Sequence, residues 1–183
     1  MPSFAAEPPP VKPAPRTIRD LDKKEVKVNR DPPSDVKMQQ AIEQYRRFLE
    51  MESQNEKLRA EAMRRLGDLQ VEDESARTAE GAFGGLGVDE AVQLYEGLLK
   101  SYPNYERNDV VMYQLARAYE AKGQLEKSLT VLDQLVATYP RSQWLVESQF
   151  RPGEILFSLK RYREAENAYV AVTTPGADTG FFE

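Results

Sequence analysis

A step of 37 residues governs the second half of this chain. Ala91, Ser128 and Ala165 stand 37 residues apart twice in succession; Tyr95, Leu132 and Tyr169 keep the same step, and so do Leu98, Leu135 and Val172. Two of these segments close alike, as Ser101-Tyr102-Pro103 and Thr138-Tyr139-Pro140. A constant period in the thirties points to stacked helix pairs, because one pair cannot bury its apolar face alone and gains a continuous core only from its neighbours. The small residue of each set lets the two helices of a hairpin approach closely. The aromatic or leucine four residues on fills the groove toward the next helix. Pro103 and Pro140 end the second helix, since proline cannot continue its hydrogen-bond ladder.

The first helix of a pair has its own stripe. Met112, Leu115, Ala116 and Tyr119 recur at i, i+3, i+4 and i+7, and Gly123 follows as a stop signal. Further upstream, Ala41, Ile42, Tyr45, Phe48 and Leu49 form one helical stripe, capped by Ser34 behind two prolines. Leu58, Ala62, Met63, Leu66 and Leu69 form another. The pattern predicts helices at about 35–51, 55–71, 88–101, 108–122, 125–138, 144–159 and 162–173, within a repeat array over 34–183. A flexible insertion is expected at about 72–87, where Gly81, Gly84, Gly85 and Gly87 crowd together. No strand precedes these glycines and no Gly-Lys-Ser/Thr follows, so they do not read as a phosphate loop. Pro152 falls inside the sixth helix and predicts a kink or a late start there.

Eight of the twelve prolines precede Ser34, and residues 1–33 read as a disordered, proline-rich tail. Cysteine and histidine are absent, which removes disulfides, thiolate zinc sites and every triad that needs a histidine base. Carboxylate pairs such as Glu164/Glu166 read as solvated helix edges, and no metal, cofactor or catalytic residue is expected. The net charge of −5 argues against nucleic acid as a partner. No apolar run is long enough to span a bilayer.

Met112-Leu115-Ala116-Tyr119 followed by Ser128-Leu132-Leu135-Pro140 resembles the tetratricopeptide repeat. The likeness covers about 34–174, with 109–142 as its clearest unit. It implies an all-α fold: a right-handed α-solenoid of helical hairpins behind the disordered tail. It also implies a non-catalytic scaffold or adaptor that binds protein segments on the concave face lined by the first helices. Register then nominates Arg64, Asp68 and Val71 in the first pair, Val110, Tyr113, Arg117 and Glu120 in the second, and Glu147, Phe150, Glu154 and Phe157 in the third. The partner-binding set expected from these is Arg64, Asp68, Tyr113, Arg117, Glu120, Phe150, Glu154 and Phe157, with the aromatics as exposed anchors. Phe150 and Phe157 are equally open to packing against neighbouring repeats. Asp68, Glu120 and Glu154 would repel a terminal carboxylate of the kind some cytosolic family members clamp. The single Trp144 reads as packing between repeats.

The period departs from the family's usual 34, and in this long, Tyr-Pro-closed form it is similar to repeats of bacterial envelope proteins such as the outer-membrane assembly lipoprotein and the Tol-Pal-associated coordinator. Ser3-Phe4-Ala5 followed by Ala6-Glu7 looks like the end of a secretory signal. A periplasmic or envelope-associated setting is the expectation, with the cytoplasm as the alternative. Thr179-Gly180-Phe181-Phe182-Glu183 looks like the opening of a further first helix, so the chain reads as part of a longer array. Two other functions stay open: the recruiting or regulatory front of a larger enzyme, and a solenoid that self-associates into a homo-oligomer through its exposed end.

Overall fold

The computed structural model describes residues 34–51, 54–79 and 85–173, with the side chains of 34–36 excluded. The expected tail, the centre of the glycine-rich insertion and the chain end beyond 173 lie outside the described residues. All described elements fall in one unit, Pro33–Glu183. They are α-helices α1 (Ser34–Glu50), α2 (Glu56–Ala79), α3 (Leu86–Ser101), α4 (Asn108–Ala121), α5 (Leu125–Thr138), α6 (Leu145–Ser158) and α7 (Tyr162–Thr173). Each packs on the next, most closely within the hairpins α2–α3, α4–α5 and α6–α7. The result is an all-α solenoid.

The 37-residue step is structural. Ala91, Ser128 and Ala165 are all buried to within 1% of full burial, as the hairpin approach requires. α3 and α5 end identically: Tyr102 N–H donates to Leu98 O and Tyr139 N–H to Leu135 O, both at 2.8 Å, before Pro103 and Pro140. α4 and α6 also end identically. Gly123 N–H donates to Glu120 O and Gln124 N–H to Tyr119 O, while Lys160 N–H donates to Phe157 O and Arg161 N–H to Leu156 O. This double bond pattern needs a left-handed residue, supplied by Gly123 (φ 69°) and, one step later, by Lys160 (φ 61°). Asp89 and Glu126 likewise open successive second helices and pair with the base ending the next first helix, Lys122 at 2.6 Å and Arg161 at 2.9 Å.

Two cores follow one another along the array. One joins α2, α3 and α4 around Tyr95, Leu98, Val111 and Leu115; the next joins α4, α5 and α6 around Ala116, Leu132, Leu135 and Ile155. Each hairpin is thus stabilised by its own helix pair and by the hairpins next to it.

Two expectations need correction. The second helix does not stop near 71 but runs to Ala79, and α3 already starts at Leu86, so most of the insertion is helical. This last stretch of α2 is held by polar contacts that leave no apolar stripe. Gln39 Nε2 donates to Asp73 Oδ1 (2.8 Å), Gln70 Nε2 donates to Glu90 Oε2 (2.8 Å), and the buried Glu74 accepts from Gly87 N–H. Gly87 is required by proximity: a Cβ there would stand 2.8 Å from Gln70 O. The sixth helix does not start late either, since α6 begins at Leu145 and continues through Pro152. The missing proline N–H leaves the Ser148 carbonyl without its normal helical donor.

Candidate functional site

The first helices of the three hairpins, α2, α4 and α6, carry a row of charged side chains. At the α2 end, Arg64 donates to Glu61 Oε1 (2.6 Å) and to Asp68 Oδ2 (2.5 Å), and Tyr95 Oη donates to Asp68 Oδ1 (2.8 Å). Tyr105 Oη donates to Glu61. Arg64 is 3% exposed; burial works against its charge, but Glu61 and Asp68 outweigh that and hold it protonated. The hydrogen bond from Arg64 in turn holds Glu61 at about 2, helped by Tyr105 and Arg65 and opposed by burial.

Further along, Glu120 accepts from Ser128 Oγ (3.2 Å) and from Arg151 Nη1 (3.3 Å). Burial raises its carboxyl above the usual range, with Arg151, Ser128 and Arg117 pulling against that and Glu154 adding to it. Arg117 lies near enough to act on Tyr95, Tyr113 and Glu120 alike. It is exposed and has no hydrogen bond or ion pair among the described residues. The structure therefore brings Asp68, Arg117, Glu120 and Glu154 into one row running from α2 to α6, with Arg64 at its α2 end.

Three of the residues nominated by register are not where an anchor must be. Arg64 is locked beneath its own carboxylates. Tyr113 is 2% exposed rather than an open aromatic. Its ring stacks on Trp144 (centroids 4.2 Å apart, planes at 13°), and its hydroxyl donates to Glu147. Burial, then that hydrogen bond, pushes its phenol up to about 12. The reason is the Trp144 side chain, which the next repeat lays across it. Val110 is buried as well.

Phe150 and Phe157 are exposed, at 40% and 59%, although each touches a ring of α7. Phe150 lies 5.2 Å from Tyr169, and Phe157 meets Tyr162 edge-on at 5.2 Å. Tyr162 is itself 56% exposed and Arg151 joins the charged row; neither was nominated from the sequence. One 37-residue step from Gln114 leads to Arg151, but nothing in Gln114 announces a cation. Among the described residues, no group of three acidic, histidine or cysteine side chains is placed to hold a metal, and no helix is long and apolar enough to cross a membrane.

Stacked hairpins with local cores and a row of charged side chains along their first helices define the helical-repeat class of interaction protein. Residues 88–145 match the family model of the tetratricopeptide repeat, and that stretch belongs to this family. The same positions continue one step beyond it, through α6 and α7. Tetratricopeptide repeats generally mediate protein–protein interaction and are typically non-catalytic. No curated protein matches the chain.

Proposed function

We propose that the protein is a scaffold or adaptor that binds segments of partner proteins along its first-helix face, with the contact centred on α4 and α6. Three exposed groups carry this reading: a cation on α4 without an ion pair among the described residues, an uncovered aromatic on α6, and a second uncovered aromatic where α7 begins. Arg117 lacks an ion pair among the described residues, and Phe157 and Tyr162 leave more than half of their surfaces to solvent. Exposed aromatics and arginine are the residue types enriched at binding hot spots. Glu154, exposed on α6, adds the opposite charge and would set the register of an extended segment.

The test is capture by crosslinking from the native cell, comparing the unaltered chain with a variant carrying Arg117→Glu, Glu154→Lys and Phe157→Ala. All three positions are exposed, so helicity should be unchanged. Selective loss of captured proteins supports the reading; an unaltered set of partners in a folded variant refutes it. The finer placement, in a bacterial envelope assembly, rests on the 37-residue, Tyr-Pro-closed period and the signal-like start. Fractionation of native cells decides it, with recovery in the cytoplasmic fraction as the contrary outcome.

A further inference from the structure

The junction between the second and third hairpins is hollow where the junction before it is full. A cavity of about 340 Å³ opens between α5, α6 and α7. One 37-residue step back, the matching space between α3, α4 and α5 is filled. Val111, Met112 and Leu115 are buried there and Val131 packs beside them; their counterparts are Ser148, Gln149, Pro152 and Ala168, which line the cavity. Three of the four changes shorten or remove apolar side chain, and two bring in polar groups. The polar atoms, Ser148 Oγ and Gln149 Oε1, are buried without a hydrogen-bond partner.

The carboxylates differ in the same way. In the filled junction Glu96 accepts a hydrogen bond from Tyr119 Oη. The step carries Tyr119 to Leu156, which has no hydroxyl, and Glu96 to Asp133. Asp133 lines the cavity and has no hydrogen bond or ion pair among the described residues. Asp133 is exposed at the cavity's edge, and partial desolvation there raises its carboxyl above the ordinary range. Apart from Ser148 and Gln149 the rest of the wall is apolar: Val136 and Ala137 from α5, Pro152 from α6, and Ala168, Ala171 and Val172 from α7.

From this arrangement we infer that the cavity seats a lysine side chain of a protein partner, its aliphatic stem on the apolar wall and its ammonium at Asp133. A volume at the low end for ligand sites takes a single side chain. A long apolar stem with a charged tip matches a largely apolar wall whose one charged group is a carboxylate. A lone carboxylate suits a compact ammonium better than the five-donor fork of arginine. The inference rests on the scaffold reading, but the site lies apart from the Arg117–Phe157 row.

The test is a titration of the whole chain with N-acetyl-lysine methylamide, followed by NMR of the alanine and valine methyl groups. The expected result is saturable shifts confined to the lining residues Val136, Ala137, Ala168, Ala171 and Val172. The norleucine analogue, which has no ammonium, should bind at least fivefold more weakly, and so should the lysine probe to Asp133→Asn. Ala168→Val, which restores the side chain of the filled junction, should raise the Tm and abolish the shifts. Absence of localised shifts marks a water-filled packing defect and overturns the proposal. Equal binding of the norleucine probe, or tighter binding of the arginine analogue, overturns it too. Because the probe needs no partner, failure here leaves the capture experiment untouched, and failure of that experiment leaves this one interpretable.

Discussion

Gly67 of α2 faces the ring of Tyr95 of α3 so closely that a Cβ on it would stand 2.6 Å from Cε1 and 2.8 Å from Cζ. The next hairpin solves the same contact with Ala116 and Leu132, both fully buried in one core. The third returns to Gly153 against Tyr169, where a Cβ would stand 2.7 Å from Cδ1. A glycine accompanies the larger wedge and an alanine the smaller one.

Gly67→Ala should therefore destabilise the fold. Alanine is the better helix former by about 1 kcal/mol, but overpacking costs about 1–3 kcal/mol. Tyr95 cannot swing away, being fully buried and tied to Asp68. Because Tyr95 is pinned, the overpacking cost falls in the upper part of its range, and a net loss of up to about 2 kcal/mol is expected in urea unfolding. Gly67→Ala with Tyr95→Leu recreates the Ala116–Leu132 pair, so a double-mutant cycle should return a favourable coupling above about 1 kcal/mol. Additive losses would show that the two residues do not constrain one another. Gly153→Ala should cost less, because Tyr169 is only half-buried and can move aside.

Lys160 occupies the left-handed position that Gly123 fills one step earlier. A residue with a Cβ pays about 1–2 kcal/mol there. Lys160→Gly should stabilise by about 1 kcal/mol, and Gly123→Ala should destabilise by a similar amount. No atom lies within 4 Å of the Cβ position at Gly123, so its loss would be a backbone effect alone. Thermal unfolding of the two variants checks both signs.

The repeat was legible because packing demands the same residue sizes at a fixed step, and Ala91, Ser128 and Ala165 have no freedom in that respect. The end of α2 was not legible, because Gln70, Asp73 and Glu74 hold it through hydrogen bonds, which leave no periodic apolar signal. Arg117, Glu120 and Glu154 could be placed on one face from register alone. The burial of Tyr113 could not, since it depends on Trp144, 31 positions further on in a different hairpin. The cavity beside Asp133 has a sequence trace in the change from Val111 and Leu115 to Ser148 and Pro152. It takes shape only when the two junctions are compared in space.

Glu61 gives the fold an acid limb. Its carboxyl is held at about 2 in the folded chain, chiefly by the Arg64 hydrogen bond, against an ordinary value of 4.5. A depressed carboxyl stabilises fully above its unfolded value and loses that contribution as the pH falls from about 4.5 to about 2. Glu61 is about one-third exposed, so solvent screening reduces the contribution to on the order of 1–2 kcal/mol. Glu120 is shifted the opposite way, so its contribution is present at low pH and fades as the pH rises through the carboxyl range. Glu61→Gln should lower stability at pH 7 and flatten its fall between pH 5 and 2. An unchanged acid limb in that variant would assign the limb to other carboxyls.

Trp144 is the chain's single tryptophan, and its stack on Tyr113 joins the second hairpin to the third. Its fluorescence therefore reports that junction, whereas far-ultraviolet dichroism reports all the helices. Tyr113→Ala removes a buried ring and should cost about 3–5 kcal/mol. Tyr113→Phe removes only the hydrogen bond to Glu147 and should cost about 1–2 kcal/mol. Because the cores are local, the loss in Tyr113→Ala should fall mainly on one junction. The fluorescence midpoint in urea should drop further than the dichroism midpoint, with α1 to α3 unfolding later. Coincident midpoints would mean that the hairpins unfold as one cooperative body despite their separate cores.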